Sequence, residues 1–206
     1  MKNADIIIWP HTKEDFYEYL VSLVKFDGYI DSNKRAVIYD PEHSFLDMVG
    51  RYAKMYFGAN YSVVPRHNYN VNTLRIYGKN LVSEIKQELI NFKLRTLNHV
   101  RGLFDAEGSI YNDGFGLRIE IKLKDRDYIK QLSKILSKFG IANYAEYDKK
   151  YFDPRKNKTY VYSRLRIRAY NDLIRFIKIV GIRQERKLHI HSYLESKSSS
   201  YDTTLL

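Results

Sequence analysis

Cysteine is absent from the 206 residues, which excludes disulfides and thiolate metal ligands and fits an intracellular chain. Proline is scarce, at 4, and no apolar run approaches the roughly 20 residues that a membrane-spanning helix needs. The apolar opening "DIIIW" at 5–9 ends at Pro10, and no basic segment leads into a long apolar one, so neither a membrane role nor a secretory signal is expected. A Gly-rich phosphate loop and a GKS or GKT motif are both missing, so nothing suggests ATP use. The six histidines form no convincing ligand set: His189 and His191 lie two apart in an expected terminal helix and do not share a face.

What is present is positive charge. Lysine and arginine number 35 against 24 acidic residues, for a net charge of +11. That excess points to a polyanionic partner, of which nucleic acid is the commonest. The 19 tyrosines and 10 phenylalanines fit basic surfaces interleaved with aromatics. A hydrophobic content of 44% is enough for a folded core without covalent staples.

The chain also repeats itself. Residues 20–30, LVSLVKFDGYI, run apolar at helical spacing and stop on Asp27-Gly28. A carboxylate there faces the partial negative charge of a helix C-terminus, a poor electrostatic choice. Residues 100–110, VRGLFDAEGSI, repeat the pattern and stop on Glu107-Gly108. Thr12 with Asp15 marks one helix start and Asn98 the other, and each acid-glycine pair suits a helix C-cap before a strand. A hairpin near Asn33 is matched by one at Asp113-Gly114, and TLRIYGKN (73–80) by RLRIRAYN (164–171). The second repeat's extra residues fall in loops, chiefly 149–158. The expected fold class is α+β: two pseudo-symmetric αββαββα repeats over 1–97 and 98–194, then a frayed tail at 195–206.

Strand alternation sorts the side chains. Leu117, Ile119, Ile121 and Leu123 face one way, and Arg118, Glu120, Lys122 and Lys124 the other. Tyr160, Tyr162, Arg164, Arg166 and Arg168 share a face opposite Leu165 and Ile167, and Arg75 and Tyr77 oppose Leu74 and Ile76. With Arg35, Tyr39 and Arg66, these form a basic, aromatic outer sheet surface expected to contact double-stranded DNA. Two-stranded ribbons of this kind fit the major groove.

LVSLVKFDG (20–28) and VRGLFDAEG (100–108), each followed by the same element order, resemble the two signature helices of the LAGLIDADG homing endonucleases. The resemblance spans about residues 12–190. It implies a pseudo-symmetric monomer without a protein partner, with the signature helices side by side at its centre and two four-stranded antiparallel sheets forming a saddle over DNA. It also implies cleavage of both strands across the minor groove with divalent metal ions, leaving 3′ overhangs. Asp27 and Glu107 are then the metal ligands and catalytic acids, for Mg2+ with Mn2+ substituting. Lys124, and Lys79 of the first repeat, are candidates for a catalytic basic group near the scissile phosphates. Small residues let helix backbones approach, so Ser22, Gly102 and Ala106 are expected at the interface.

Two residues depart from the signature. Lys25 stands where the second copy has Asp105, which suggests a Lys25–Asp105 contact across the helix interface. Phe26 stands where a small residue is usual, either widening the helix contact or filling its own half's core. There is no Cys or Ser at the start and no C-terminal His-Asn pair, so an intron-encoded, free-standing enzyme is expected rather than an intein. The alternative on the same scaffold is an RNA maturase or a cleavage-dead DNA-binding protein. An unrelated basic RNA-binding domain would leave the doubled motif unexplained.

Overall fold

The computed structural model describes residues 10–66 and 69–187. Helix α1 (Lys13–Asp27) starts at Thr12, whose hydroxyl accepts the Asp15 backbone N–H while the Asp15 carboxylate accepts that of Thr12. This reciprocal box satisfies two donors that a helix start otherwise orphans. The helix runs directly into strand β1 (Gly28–Ile30), which turns back as β2 (Ala36–Asp40). Helix α2 (His43–Phe57), strands β3 (Asn60–Arg66) and β4 (Val71–Tyr77), and helix α3 (Lys79–Ile90) complete the first repeat. After a short connector, α4 (Leu97–Glu107), β5 (Gly108–Asn112), β6 (Leu117–Leu123), α5 (Arg126–Lys138), β7 (Tyr144–Asp153), β8 (Lys158–Ile167) and α6 (Tyr170–Val180) follow the same order.

Both sheets are four-stranded and antiparallel, ordered β1-β2-β4-β3 and β5-β6-β8-β7. Alternate residues point into the core beneath the helices: Ala36, Ile38, Leu74 and Ile76 in one repeat, Ile119, Ile121, Leu165 and Ile167 in the other, all fully buried. Among the described residues no helix is long and apolar enough to cross a membrane. His189, His191 and the expected tail lie outside the described residues.

The repeats meet along α1 and α4. At their crossing, a Cβ on Gly102 would lie 2.4 Å from the Tyr19 carbonyl oxygen and 2.8 Å from Ser22 Cβ. Ser22 Oγ donates to the His99 carbonyl oxygen at 2.7 Å across the same contact. Asn98 is not the helix cap expected from the sequence. Thr96 caps α4, its hydroxyl accepting the His99 N–H, and Asn98 is buried with Nδ2 donating to Asp15 and Glu18 of α1, at 2.9 Å each.

Gly28 and Gly108 are both extended, so neither forms a left-handed helix cap. Space is what demands glycine there. A Cβ would fall 2.5 Å from the Val37 carbonyl oxygen in the first case and 2.1 Å from Phe104 Cδ2 in the second. The close helix-to-strand passage fixes where the preceding acid stands.

Candidate metal centre and nucleic-acid interface

Helices α1 and α4 bring Asp27 and Glu107 within reach of each other's charge. Burial above all, then the negative charges of Asp40 and Glu107, push the Asp27 carboxyl up to about 7, with Arg186 and Lys187 opposing. Burial also pushes Glu107 up against the pull of Lys187, although part of its surface stays open to solvent. Two carboxylates at negative helix ends, each disfavoured as an anion, make a site short of positive charge. The donors fit a hard divalent ion, since Mg2+ takes one or two carboxylates and completes its shell with water and phosphate oxygens. No cluster of three or more His, Asp or Glu suited to a metal occurs among the described residues.

A third acid and the segment that holds it were not found from the sequence. Asp40, at the end of β2, is buried; one carboxylate oxygen accepts the Glu42 N–H at 2.8 Å, and the other accepts Gln184 Nε2 at 2.7 Å and an Arg186 guanidinium N–H at 3.0 Å. Gln184 and Arg186 belong to a strap, residues 181–187, that follows α6 and folds back over the ends of the signature helices. Glu42 of the first repeat accepts the Glu185 N–H at 2.8 Å. Lys187 Nζ donates to the Phe104 and Asp105 carbonyl oxygens at 2.7 and 3.0 Å, and its burial pushes the amine down to about 8. The only sequence signal was the run RQERK at 183–187, which reads equally as a solvated helix end.

The expected Lys25–Asp105 contact does not form. Asp105 is fully buried, accepting Tyr19 Oη at 2.8 Å and pairing with Arg183. Lys25 Nζ instead lies 5.8 Å from the centre of the Tyr128 ring in α5. Residues matched by a pseudo-twofold meet only on its axis, and these two lie off it. Phe26 packs edge-on both to Phe92, a core residue of its own repeat, and to Tyr128 of the other, with centroids 5.8 and 5.2 Å away. Ala106 is half-buried against the core. Lys124 shares a cleft with Glu107, whereas Lys79 is misplaced for a role beside Asp27. Strand register sets Asp27 beside the Thr73 end of β4, and Lys79 follows its other end, about 13 Å of strand away.

The outer sheet faces are less uniformly basic than alternation implied. Arg35 pairs with Asp31, Arg118 with Asp113, Lys122 with Glu120, Arg164 with Glu120 and Glu146, and Arg166 with Glu146. Glu120, expected on an open face, is buried beneath these partners. Cross-strand register sets Glu146 opposite Arg164 and Glu120 opposite Arg166, which compensates the arginines. The Arg164 guanidinium chiefly, with Arg166 and Lys149, holds Glu146 down to about 2. Among the described residues Arg66, Arg75, Lys124 and Arg168 make no ion pair. Arg66 lies 5.2 Å from the Tyr39 ring centre, Arg35 lies 5.8 Å from that of Tyr77, and Lys158 lies 5.4 Å from that of Tyr160. Tyr162 is half-buried along β8, and Arg168 is exposed just beyond it.

Residues 96–181 match the family model of the LAGLIDADG-like domain. The fold is shared with the homing endonuclease I-DmoI in complex with DNA and Mn (TM-score 0.60, 18% identity, 84% of this chain and 99% of that one). It is shared equally with the N-terminal LAGLIDADG domain of DUF199/WhiA (TM-score 0.57, 17% identity, 84% and 86%). A DNA polymerase of Thermococcus kodakarensis is 28% identical over 148 residues, 71% of this chain; the chain spans only 9% of that protein's length.

Proposed function

The chain is a two-repeat LAGLIDADG-fold protein, and from that premise we propose that it is a site-specific, metal-dependent double-strand DNA endonuclease acting as a monomer. The observation that carries the reading is the pair of acids, Asp27 and Glu107, drawn into mutual charge range where the signature helices end. A protein that only binds DNA gains nothing from paired carboxylates beside phosphates. Structures of I-DmoI with DNA or target DNA and Mn, Mg or Ca support divalent metal use by this fold.

Asp27 and Glu107 would hold Mg2+, with Mn2+ substituting; the bound ion supplies a lowered water pKa and Lewis acidity at the phosphate and departing 3′ oxygen. The acids set the ion's position, and the strap cations temper the charge of the empty pair. Aromatic and arginine side chains on the sheets, Arg66, Arg75, Tyr77 and Arg168 among them, position the duplex. Cleavage across the minor groove leaves 3′ overhangs, and an intracellular, intron-encoded setting fits this activity.

A second reading is a nucleic-acid binder without cleavage, such as a maturase. It is favoured by Lys187, whose buried ammonium already neutralises part of the acidic pair, and by the rule that a fold hosts several functions. Incubation with a library of duplex sites and Mg2+ or Mn2+, followed by mapping of double-strand ends, separates the two. Asp27→Asn and Glu107→Gln are each expected to abolish double-strand cleavage while largely sparing binding. Tight binding with no cleavage by the unaltered chain would leave the second reading standing.

A further inference from the structure

The two sides of the acid pair are built differently. Beside Glu107 lies an open cleft of about 520 Å³ whose lining includes Lys25, Phe26, Lys122, Lys124 and Tyr128. The pairings Gly28–Ile38 and Gly108–Ile121 make Asp40 and Pro41 the counterparts of Leu123 and Lys124. On the Asp27 side the strap holds Asp40 through Gln184 and Arg186 and Glu42 through the Glu185 N–H, and Pro41 between them offers no charge.

Lys25 is a first-repeat residue that serves the second repeat's cleft. Phe26, edge-on to Tyr128, ties the end of α1 to that side, and the Lys25 ammonium lies against the same tyrosine. Within the cleft, Lys122 is paired with Glu120 at 2.7 Å, and Asp125 accepts the Asp127 N–H at 2.8 Å to cap α5. Among the described residues Lys25 and Lys124 make no ion pair. Two ammonium groups without an ion pair thus line the same cleft as a carboxylate already assigned to the metal.

We propose that Lys25 and Lys124 together bind one backbone phosphate of the DNA strand that passes Glu107, so that the first signature helix completes a phosphate site belonging to the second repeat. The identity of the polyanion rests on the endonuclease reading above. Because Pro41 and Asp105 stand at the matching positions on the other side, neither of them a cation, this contact has no symmetry mate, and the two strands are held unequally.

The test begins with a duplex selected by the full chain from a randomised library, then replaces its phosphates one at a time with neutral methylphosphonates. The unaltered chain is expected to lose about tenfold in affinity at one position on one strand, adjacent to the scissile phosphate where cleavage is seen. Lys25→Met should bind the unmodified duplex about tenfold more weakly, with a log K against log salt slope shallower by about 0.9. Its penalty at that same methylphosphonate should shrink to the part Lys124 still supplies, and Lys25→Arg should restore both the slope and the full sensitivity. A merely structural lysine would weaken binding to every duplex and leave the methylphosphonate penalty intact; that result overturns the proposal, as does unchanged binding by Lys25→Met. If the unaltered chain binds but cuts nothing, the nuclease reading falls and the phosphate comparison still decides this site. Failure to bind any duplex removes both.

Discussion

Gly102 shows how much of the architecture rests on one missing methyl group. Its Cβ would meet the backbone of α1, which cannot rotate away as a side chain can, so Gly102→Val must separate the central helices or strain them. The expected cost is about 1–3 kcal/mol or more, read as a lowered melting temperature, with Asp27 and Glu107 moved apart and cleavage lost with stability. Asp27 makes the opposite contribution. Its folded pKa, about 7, lies above the ordinary 3.8, so between those values the folded state binds the extra proton and stability falls as pH rises. In chelator, Asp27→Asn should therefore melt higher than the parent at pH 8, with the two converging below pH 4. Mg2+ should raise the parent's melting temperature at pH 8 and leave Asp27→Asn nearly unmoved. Equal melting temperatures of the two chains across that range would mean that the acid carries no such burden.

At the scale of elements, strand alternation located the outer faces but said nothing about what stands across the ladder. Arg164, Arg166 and Arg168 read as one basic row in sequence, yet register sets Glu146 and Glu120 opposite the first two and leaves Arg168 exposed beyond the strand. Arg168→Ala is accordingly expected to weaken DNA binding and make its salt dependence shallower, by about 0.9 in log–log slope if it holds one phosphate. Arg164→Ala should weaken binding with little change of slope, because Arg164 is already committed to Glu120 and Glu146, and its loss leaves those acids less compensated rather than releasing a counterion. Equal slope changes in the two variants would show that Arg164 gives up its carboxylates to the DNA. The same contrast explains what was legible. Helical and period-two patterns are local, so the doubled order of elements and both terminal acids could be read directly. Pairing across strands and across the helix interface is not local. That is why the Asp105–Arg183 pair, the Lys25–Tyr128 contact and the distance of Lys79 from Asp27 required the three-dimensional register.

Across the whole molecule, the strap is a second tie between the two repeats, beside the α1–α4 seam. It leaves the second repeat, pairs Arg183 with Asp105 of the second signature helix, and sets Gln184 and Arg186 on Asp40 of the first repeat. Its Lys187 covers the carbonyl end of α4. Without those cations, two buried carboxylates would keep only neutral donors, the Glu42 N–H and the Tyr19 hydroxyl, and breaking such pairs from one side costs on the order of 3–5 kcal/mol. A chain ending at Val180 is therefore expected to melt well below the full chain at pH 8. The deficit should shrink as pH falls toward 4, because burial already holds the Asp40 carboxyl above its ordinary range, so that it can take up a proton and no longer needs the strap's cation. Thermal melts of the two chains across that range read the effect directly. A deficit independent of pH would mean that the strap acts through packing alone, and the acids at the centre of the molecule would then need another source of positive charge.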